Sequence, residues 1–474
     1  MTKSLDMAEL ARAAAEAAEH RRCAADVGEA AQWPEPTEDS VARAFADRRA
    51  GQIIFDHTSG IWHIWRDGRW ARDERHRVFN DARDFTRLMR AGIPKAPDAM
   101  GKINFASNVE RATRADPRIA VSHEVWDRDR WLLGIPGGVI DLRTGKQRTA
   151  SPDLYIGRQC NVAPTPDAAG APLWHKFLAD ATNHDDELQA FLQRLAGYLL
   201  TGDITEEVVT FLYGSGGNGK GVFLGALSAI MGEYAVGVPI EVFTANSRIN
   251  LEYYRAQMAG ARLVTASETE AQASWAEAQI KEMTGNETPL SARHPYGQPF
   301  TYSPQFKIVL VGNHAPKLKG RSPAMERRLR VIPFDHKPAN PDYDLKDKLR
   351  DEYPAILRWM IDGCLAWQKA RLGNAEAVQS ATSAYFEQQD AFRRWMDERC
   401  ELDPNFATKP GALLADFNAW ARGNGEDTLN NGSFAEMIER ADKLTRTRSN
   451  GVRLVKGIAL KPDHGWQSDG SDGQ

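Results

Sequence analysis

The stretch Thr210–Leu227, TFLYGSGGNGKGVFLGAL, leaves a chain few ways to fold. Thr210-Phe211-Leu212-Tyr213 is short, apolar and rich in strand formers. Gly214-Ser215-Gly216-Gly217-Asn218-Gly219-Lys220 fits G-x-x-x-x-G-K and predicts a glycine-rich turn. Val222, Phe223 and Leu227 then recur at helical spacing, and Gly232 is placed to stop the helix. Strand, turn and helix in this order suit a polyphosphate. Several backbone N–H groups must point at one spot, and residues without a Cβ let the backbone come that close. The helix N-terminus adds partial positive charge, and Lys220 supplies a point charge for the β- and γ-phosphates. Gly214 through Val222 is therefore the candidate nucleotide-binding segment: Gly214, Ser215, Gly216, Gly217, Asn218, Gly219, Lys220, Gly221 and Val222. Gly221 departs from the pattern, because a Ser or Thr hydroxyl is expected there to hold Mg²⁺.

Composition narrows the rest. The chain has 474 residues, enough for about three or four domains. Its formal net charge of −4 excludes a globally basic nucleic-acid coat, so any DNA contact must come from local patches. Cys23, Cys160, Cys364 and Cys400 are far apart and form no CxxC pair. That pattern indicates reduced, buried thiols rather than a zinc knuckle or a disulfide framework. No apolar run approaches the ~18 residues of a membrane span, and no signal peptide precedes the first helix. The expected location is the cytoplasm of a bacterial host cell, with no membrane partner.

The expected organisation follows the order of the chain. An alanine-rich helical arm occupies 1–38, and an α+β domain follows over 39–165. In that domain a helix capped near Asp39-Ser40 precedes QIIFDHTSGIWHIWRDGRWARD, a predicted β-meander. Trp62, Trp65 and Trp70 are expected in its core, with base stacking as the other reading. Arg66, Arg69, Arg72, Arg75 and Arg77 make the region locally basic, which suits either a nucleic-acid surface or a solvated face. Helical sequence runs to about Ala120, and WLLGIPGGVIDLRTGK predicts short strands. A loop-rich boundary spans 152–172. A helical collar over 172–204 leads into a parallel α/β core over 205–340, with further strands at 262–267, 306–312 and 330–334 and a hairpin at 290–302. A helical lid covers 341–374. The segment 375–461 reads as a long polar connector helix followed by a winged helix, whose wing carries Arg446, Arg448, Arg453 and Lys456. The tail 462–474 is expected to be disordered.

The chemistry gathers at the ends of the predicted core strands. Glu268 is placed after the strand expected next to the phosphate-binding strand, where it can hold Mg²⁺ through water or polarise an attacking water. Glu270 stands in reserve. Asn313 ends a later strand and can orient that water and sense the γ-phosphate, or simply form a turn. Arg327 and Arg328 follow a basic loop and are candidates for stabilising transition-state charge from a neighbouring subunit. Lys281, Arg293, His294 and Tyr296 sit on or beside the hairpin, where they can meet DNA phosphates and stack on a base.

Together GSGGNGKG, RLVTASETE, IKEMTGNETPLSARHPYGQPF, FKIVLVGNHAP and MERRLRVIPF resemble the motifs of superfamily 3 helicases. Within that group the chain resembles the phage/plasmid primase–helicase family, including its poxvirus-type members. IWHIWRDGRWARD and WLLGIPGGVIDLRTGK resemble that family's N-terminal accessory domain. The resemblance covers roughly 40–460. It implies a hexameric AAA+ ring that hydrolyses ATP with Mg²⁺ and moves along single-stranded or forked DNA during replication of a phage, plasmid or integrated element. It makes Lys220 the P-loop lysine, Glu268 the acid and Asn313 the sensor. Lys281 and Arg293 become the helix–hairpin cations, and Arg327 or Arg328 the finger. Relatives often carry a primase domain at the N-terminus, whereas the arm here has no polymerase-type carboxylate cluster. The expectation is thus a helicase without priming activity, working beside a separate primase. Two rivals remain: a nucleotide-switched origin-binding or loading ring that does not unwind, and a primase–helicase.

Overall fold

A computed structural model describes residues 35–461 except 246–247, 268–273, 314–315, 319–321, 339, 442–443 and 450–451. The expected arm, apart from its last residues, and the expected tail lie outside the described residues, as does Cys23. Among the described residues no helix is long and apolar enough to cross a membrane. Cys160, Cys364 and Cys400 are buried free thiols.

The centre is a five-stranded sheet, parallel throughout. Its order is Leu329–Pro333, Val209–Tyr213, Lys307–Gly312, Leu263–Ser267 and Ala235–Gly237. These strands are apolar runs because both faces are covered. Leu212, Leu263, Val309 and Ile332 join one core with the helices Pro172–Ala181, Asp186–Leu200, Lys220–Met231 and Tyr353–Ala370. Phe211, Val264, Ile308, Leu310 and Val331 join the other, with the helices Leu251–Met258, Glu277–Thr284 and Glu376–Gln389. The sheet order corrects one expectation. The strand that leads towards Glu268 is not next to the phosphate-binding strand; Lys307–Gly312 lies between them. Strand neighbours are set by long-range pairing, which local sequence does not carry.

The collar and lid helices form one tight pair. Asp186–Leu200 crosses Tyr353–Ala370 at glycines. A Cβ on Gly197 would lie 1.9 Å from Cys364 N, and one on Gly363 would lie 2.0 Å from the Gln193 carbonyl oxygen. Two backbones come this close only without side chains between them.

The N-terminal meander forms as expected, with strands Ile53–Asp56, Ile61–Arg66 and Arg69–Arg72. Ala120–Val121 adds a fourth, parallel strand. Three helices cover it: Glu38–Arg49, Arg77–Gly92 and Ile103–Thr113. The first starts earlier than expected, because Thr37 is the cap, its hydroxyl accepting from Ser40 N at 3.2 Å. Trp62 and Trp70 are buried, and Trp65 meets Trp70 edge to face at 5.4 Å. A second small sheet, Leu132–Ile135, Gly138–Asp141 and the unexpected Lys146–Arg148, packs Leu133, Ile135 and Ile140 into the core of the collar helices. The expected boundary at 152–172 is therefore a loop, but the apolar core continues across it.

The expected single connector over 375–400 is two helices, Glu376–Gln389 and Ala391–Arg399. Asp390 breaks them and caps the second, accepting from Arg393 N at 3.0 Å. The first is no mere spacer. It shields the sheet's edge strand, Thr382 Oγ1 accepting from Val331 N at 3.0 Å. Helices Ala391–Arg399, Pro410–Asn424 and Asn431–Arg440 then pack around Trp395, Phe417 and Phe434. The hairpin Thr445–Ser449/Val452–Lys456 follows, with Ala407–Thr408 pairing at its side.

Two consequences are measurable. Gly197→Val would add helix-facing methyls where the partner backbone already lies, and should cost about 3 kcal/mol. A urea midpoint equal to wild type would refute the close crossing. The second concerns His63. Burial first, and Arg72 beside it second, lower its pKa to about 4. The unfolded chain takes up that proton near pH 6.5. His63 therefore contributes stability that is complete above about pH 6.5 and is lost as pH falls towards 4, on the order of 3 kcal/mol. Buried Asp127, pushed up to about 6 mainly by burial, has the opposite sign: acidification between pH 6 and 4 favours the fold. Comparing His63→Gln with wild type by thermal unfolding isolates the first effect. The variant should gain on wild type as pH falls from 7.5 to 5.

Candidate nucleotide site and nucleic-acid surface

The register of the central sheet builds the site. Tyr213 lies level with Gly312 on one side and Pro333 on the other, and Ser267 lies level with Val311. Gly214, Asn313 and Phe334 therefore leave the sheet along one edge, the carboxyl ends where ligands bind in open parallel sheets.

The turn after Tyr213 is a tight cradle. Gly214, Gly216, Gly217 and Gly219 have φ of +158°, +89°, +70° and +91°. At Gly214 space is the stronger constraint, because an added Cβ would stand 2.2 Å from both Asn218 Nδ2 and the Phe334 carbonyl oxygen. At Gly219 it would stand 2.7 Å from the Phe177 ring. Asn218, buried, donates its amide to the Phe334 carbonyl. Phe334 N in turn donates to Tyr213 O at 2.7 Å. The loop is thus tied to both strands beneath it. Trp174 of Pro172–Ala181 stacks on Phe223 of Lys220–Met231, ring centres 5.7 Å apart at 12°, which holds the two helices together.

Lys220 is buried at the first turn of its helix. Its Nζ donates to Gly214 O at 2.6 Å, to Asn218 Oδ1 at 3.0 Å and to Asn313 Oδ1 at 3.2 Å. Two candidate residues 93 positions apart are therefore in contact. Gly221 is exposed, and an added Cβ there meets nothing within 4 Å. The position has room for a side chain but supplies no metal ligand. Among the described residues no group of three or more His, Cys, Asp and Glu is placed to hold a metal. Glu268 and Glu270 lie outside the described residues.

The two arginines differ. Arg328 is half-buried and turned inward, donating to Glu207 at 2.8 Å and Thr284 Oγ1 at 3.2 Å. Arg327 is exposed, and its guanidinium has no hydrogen-bond or ion-pair partner among the described residues.

The hairpin Leu290–Arg293/Pro299–Tyr302 is anchored in the core by Leu290 and Ala292 and turns its tip outward. Tyr296 at its tip is fully exposed with φ +61°, and Arg293 and Lys281 are exposed. His294 is placed differently. It is partly buried and stacks on Phe300 at 5.3 Å, and burial, then Arg72, hold its pKa below the usual imidazole range. It meets the hairpin as a neutral ring rather than as a cation for phosphates. On the C-terminal hairpin Arg446 pairs with Glu439, while Arg448 and Arg453 face each other across the strands, both exposed. Sequence reasoning placed Asn218 in the loop but missed its bracing role. Its being the loop's lone amide side chain was the available signal.

Comparison with known proteins adds a family. Residues 42–183 match the model described as D5 N terminal like, and residues 212–328 match a family of unknown function, DUF5906. A helicase-named protein of Frog virus 3 (isolate Goorha), 022R, is 26% identical over 264 residues, 51% of this chain and 27% of its own. Another of Acanthamoeba polyphaga mimivirus, L207/L206, is 26% identical over 314 residues, 61% of this chain and 32% of its own. These matches support a phage-type primase–helicase family for this chain. It spans about a third or less of the length of those curated relatives. A solved apo structure of the NrS-1 C-terminal region aligns with 90% of this chain and 99% of its own at 11% identity and a TM-score of 0.46. The first matched segment takes in the N-terminal sheet and Trp174. The second takes in Lys220, Asn313, Arg327 and Arg328.

The cradle makes a graded prediction. Gly214→Ala should lower nucleoside triphosphate affinity by on the order of 100-fold, since its methyl collides with backbone and the Asn218 brace. Gly221→Ala should bind like wild type. Titration with a fluorescent triphosphate analogue checks both, and equal losses would refute the cradle geometry.

Proposed function

We propose that this chain is an ATP-dependent DNA helicase of superfamily 3, an AAA+ hexamer that drives replication of a phage, plasmid or integrated element. The contact that carries the proposal is Lys220 Nζ to Asn313 Oδ1 at 3.2 Å. It joins a phosphate-binding lysine to a neutral amide at the neighbouring strand end, where a γ-phosphate and its attacking water would lie.

The residues then divide the work. Backbone N–H groups of the glycine turn and the helix N-terminus hold the phosphates. Lys220 gives up its internal carbonyl acceptor and donates to the β- and γ-phosphate oxygens. Asn313 orients the attacking water, and Glu268 polarises it. Arg327, exposed and uncommitted, acts across the subunit boundary, while Arg328 holds the local structure through Glu207 and Thr284. Mg²⁺, when bound with ATP, neutralises the phosphate charge. Gly221 supplies no hydroxyl, so a metal ion bound there would have to take water in its place. Lys281, Arg293 and Tyr296 contact DNA in the ring channel, and the C-terminal helices with Arg448 and Arg453 form a winged-helix DNA contact.

Gly221 favours one other reading, a nucleotide-switched loading ring that binds DNA without unwinding it. Strand separation decides between them. Wild type should unwind forked DNA with ATP and Mg²⁺, and Lys220→Ala should lose at least about 100-fold in ATP turnover. Arg327→Ala should lose turnover by a factor on the order of 1,000 while its thermal midpoint stays near wild type. Arg328→Ala should lower the midpoint. Robust unwinding by Lys220→Ala would sink the mechanism, and turnover without strand separation would favour the loading ring.

A further inference from the structure

The N-terminal sheet ends against the exposed hairpin. Asp56, Ile61 and Val121 lie level at that end of the sheet. His123, two residues further on, sets its Nε2 3.0 Å from the Thr301 carbonyl oxygen and its ring 5.2 Å from Phe300. Thr58 steadies it from behind, its hydroxyl accepting from His123 N at 3.1 Å. Phe300 is the ring on which His294 stacks. The sheet therefore reaches the base of the hairpin tip.

Arg72 ends the edge strand of this sheet, across from His63. It lies near enough to His294 to oppose its protonation. Asp73 then turns the chain, accepting from Arg75 N at 3.2 Å and Arg77 N at 2.9 Å, so Arg75 follows within one turn. Arg72 and Arg75 are exposed, and neither guanidinium has a hydrogen-bond or ion-pair partner among the described residues. Several arginines of this domain are matched, Arg49 with Asp81, Arg69 with Glu233, Arg114 with Glu110 and Arg118 with Asp116, whereas Arg66 and Arg111, like Arg72 and Arg75, have no such partner among the described residues. Arg72 and Arg75 lie at the end of the sheet that His123 joins to the hairpin, and with the hairpin's exposed Arg293 and bare Tyr296 ring they make the combination that grips single strands, a charged track for phosphates and a stacking platform.

We propose that Arg72 and Arg75 extend the hairpin's nucleic-acid site onto the N-terminal sheet and hold the phosphates of a single DNA strand whose base stacks at Tyr296. This rests on the helicase reading above. It differs from a general basic surface in naming two residues and one path, with His123 as the residue that keeps sheet and hairpin in register.

The test is the salt dependence of binding to a fluorescein-labelled oligothymidylate, using the full chain between 50 and 200 mM salt. Each phosphate that the protein neutralises on a single strand adds about 0.7 to the steepness of log affinity against log salt. Arg72→Ala/Arg75→Ala should reduce that steepness by about 1.4 and weaken binding by on the order of tenfold at the low-salt end. Arg43→Ala/Arg87→Ala removes the same net charge from exposed, ion-paired positions and should leave the slope in place. Thermal midpoints of both variants near wild type exclude misfolding. An unchanged slope in the first variant, or an equal drop in the control, overturns the proposal. A wild-type chain that fails to bind the oligomer overturns the helicase reading itself, a different result.

Discussion

A buried guanidinium holds the parts together. Arg262 is fully buried at the start of a central strand, the edge of the sheet away from the glycine turn. Its Nη1 donates to Leu200 O at 2.5 Å, its Nη2 to Leu132 O, and its plane lies 4.5 Å from the Tyr234 ring centre. Those partners belong to the collar helix, the small N-terminal sheet and the turn after the phosphate-facing helix. Lys307 on the next strand is also buried and donates to Thr201 O. Burying two cations costs several kcal/mol each unless their donors are met. Arg262 Nη1 and Lys307 Nζ donate to carbonyls at the C-terminal end of Asp186–Leu200, where the helix dipole is negative; Arg262 Nε has no partner among the described residues, and burial pushes the Lys307 pKa well down. The helix Asp186–Leu200, the sheet that begins at Leu132 and the core cannot part without stranding the Arg262 charge.

Local chemistry was readable in the sequence, and relative placement was not. The glycine turn, the meander, both hairpins and most helices announce themselves through residues that act on their neighbours: Gly at positive φ, Asp and Asn caps, alternating apolar positions. The order of the central strands does not, and so Glu268's strand was set one position too close to the turn. Asp390 reads in sequence as one more polar residue of a helix, although its carboxylate ends one helix and starts the next. Arg262 and Lys307 look like surface cations by type, and their burial follows from partners 62 and 106 residues away. The candidate site divides the same way. Lys220 and Asn313 were legible as separate strand-end residues, but their contact depends on strand adjacency. The difference between Arg327 and Arg328 depends on Glu207, which lies just before the Val209–Tyr213 strand.

The two N-terminal sheets are more than a preface to the core. The N-terminal region is tied to the core at two levels: beneath, through Asp127 and through Leu132 of its three-stranded sheet, which Arg262 holds, and above, through His123, which follows its four-stranded sheet and meets the hairpin. His294, packed on Phe300 and kept neutral, is part of that upper joint. The exposed tip residues beyond it are left to meet solvent or a ligand.

The edge strand Leu329–Pro333 has a mechanical consequence. It begins directly after the helix that carries Arg327, and it ends at Phe334, whose carbonyl holds Asn218 inside the glycine turn. Five extended residues span roughly 16 Å with little give. In the proposed ring, where Arg327 would answer to the neighbour's nucleotide, this strand would be a push-rod. A shift at one triphosphate site would be delivered to the floor of the next without any domain having to swing.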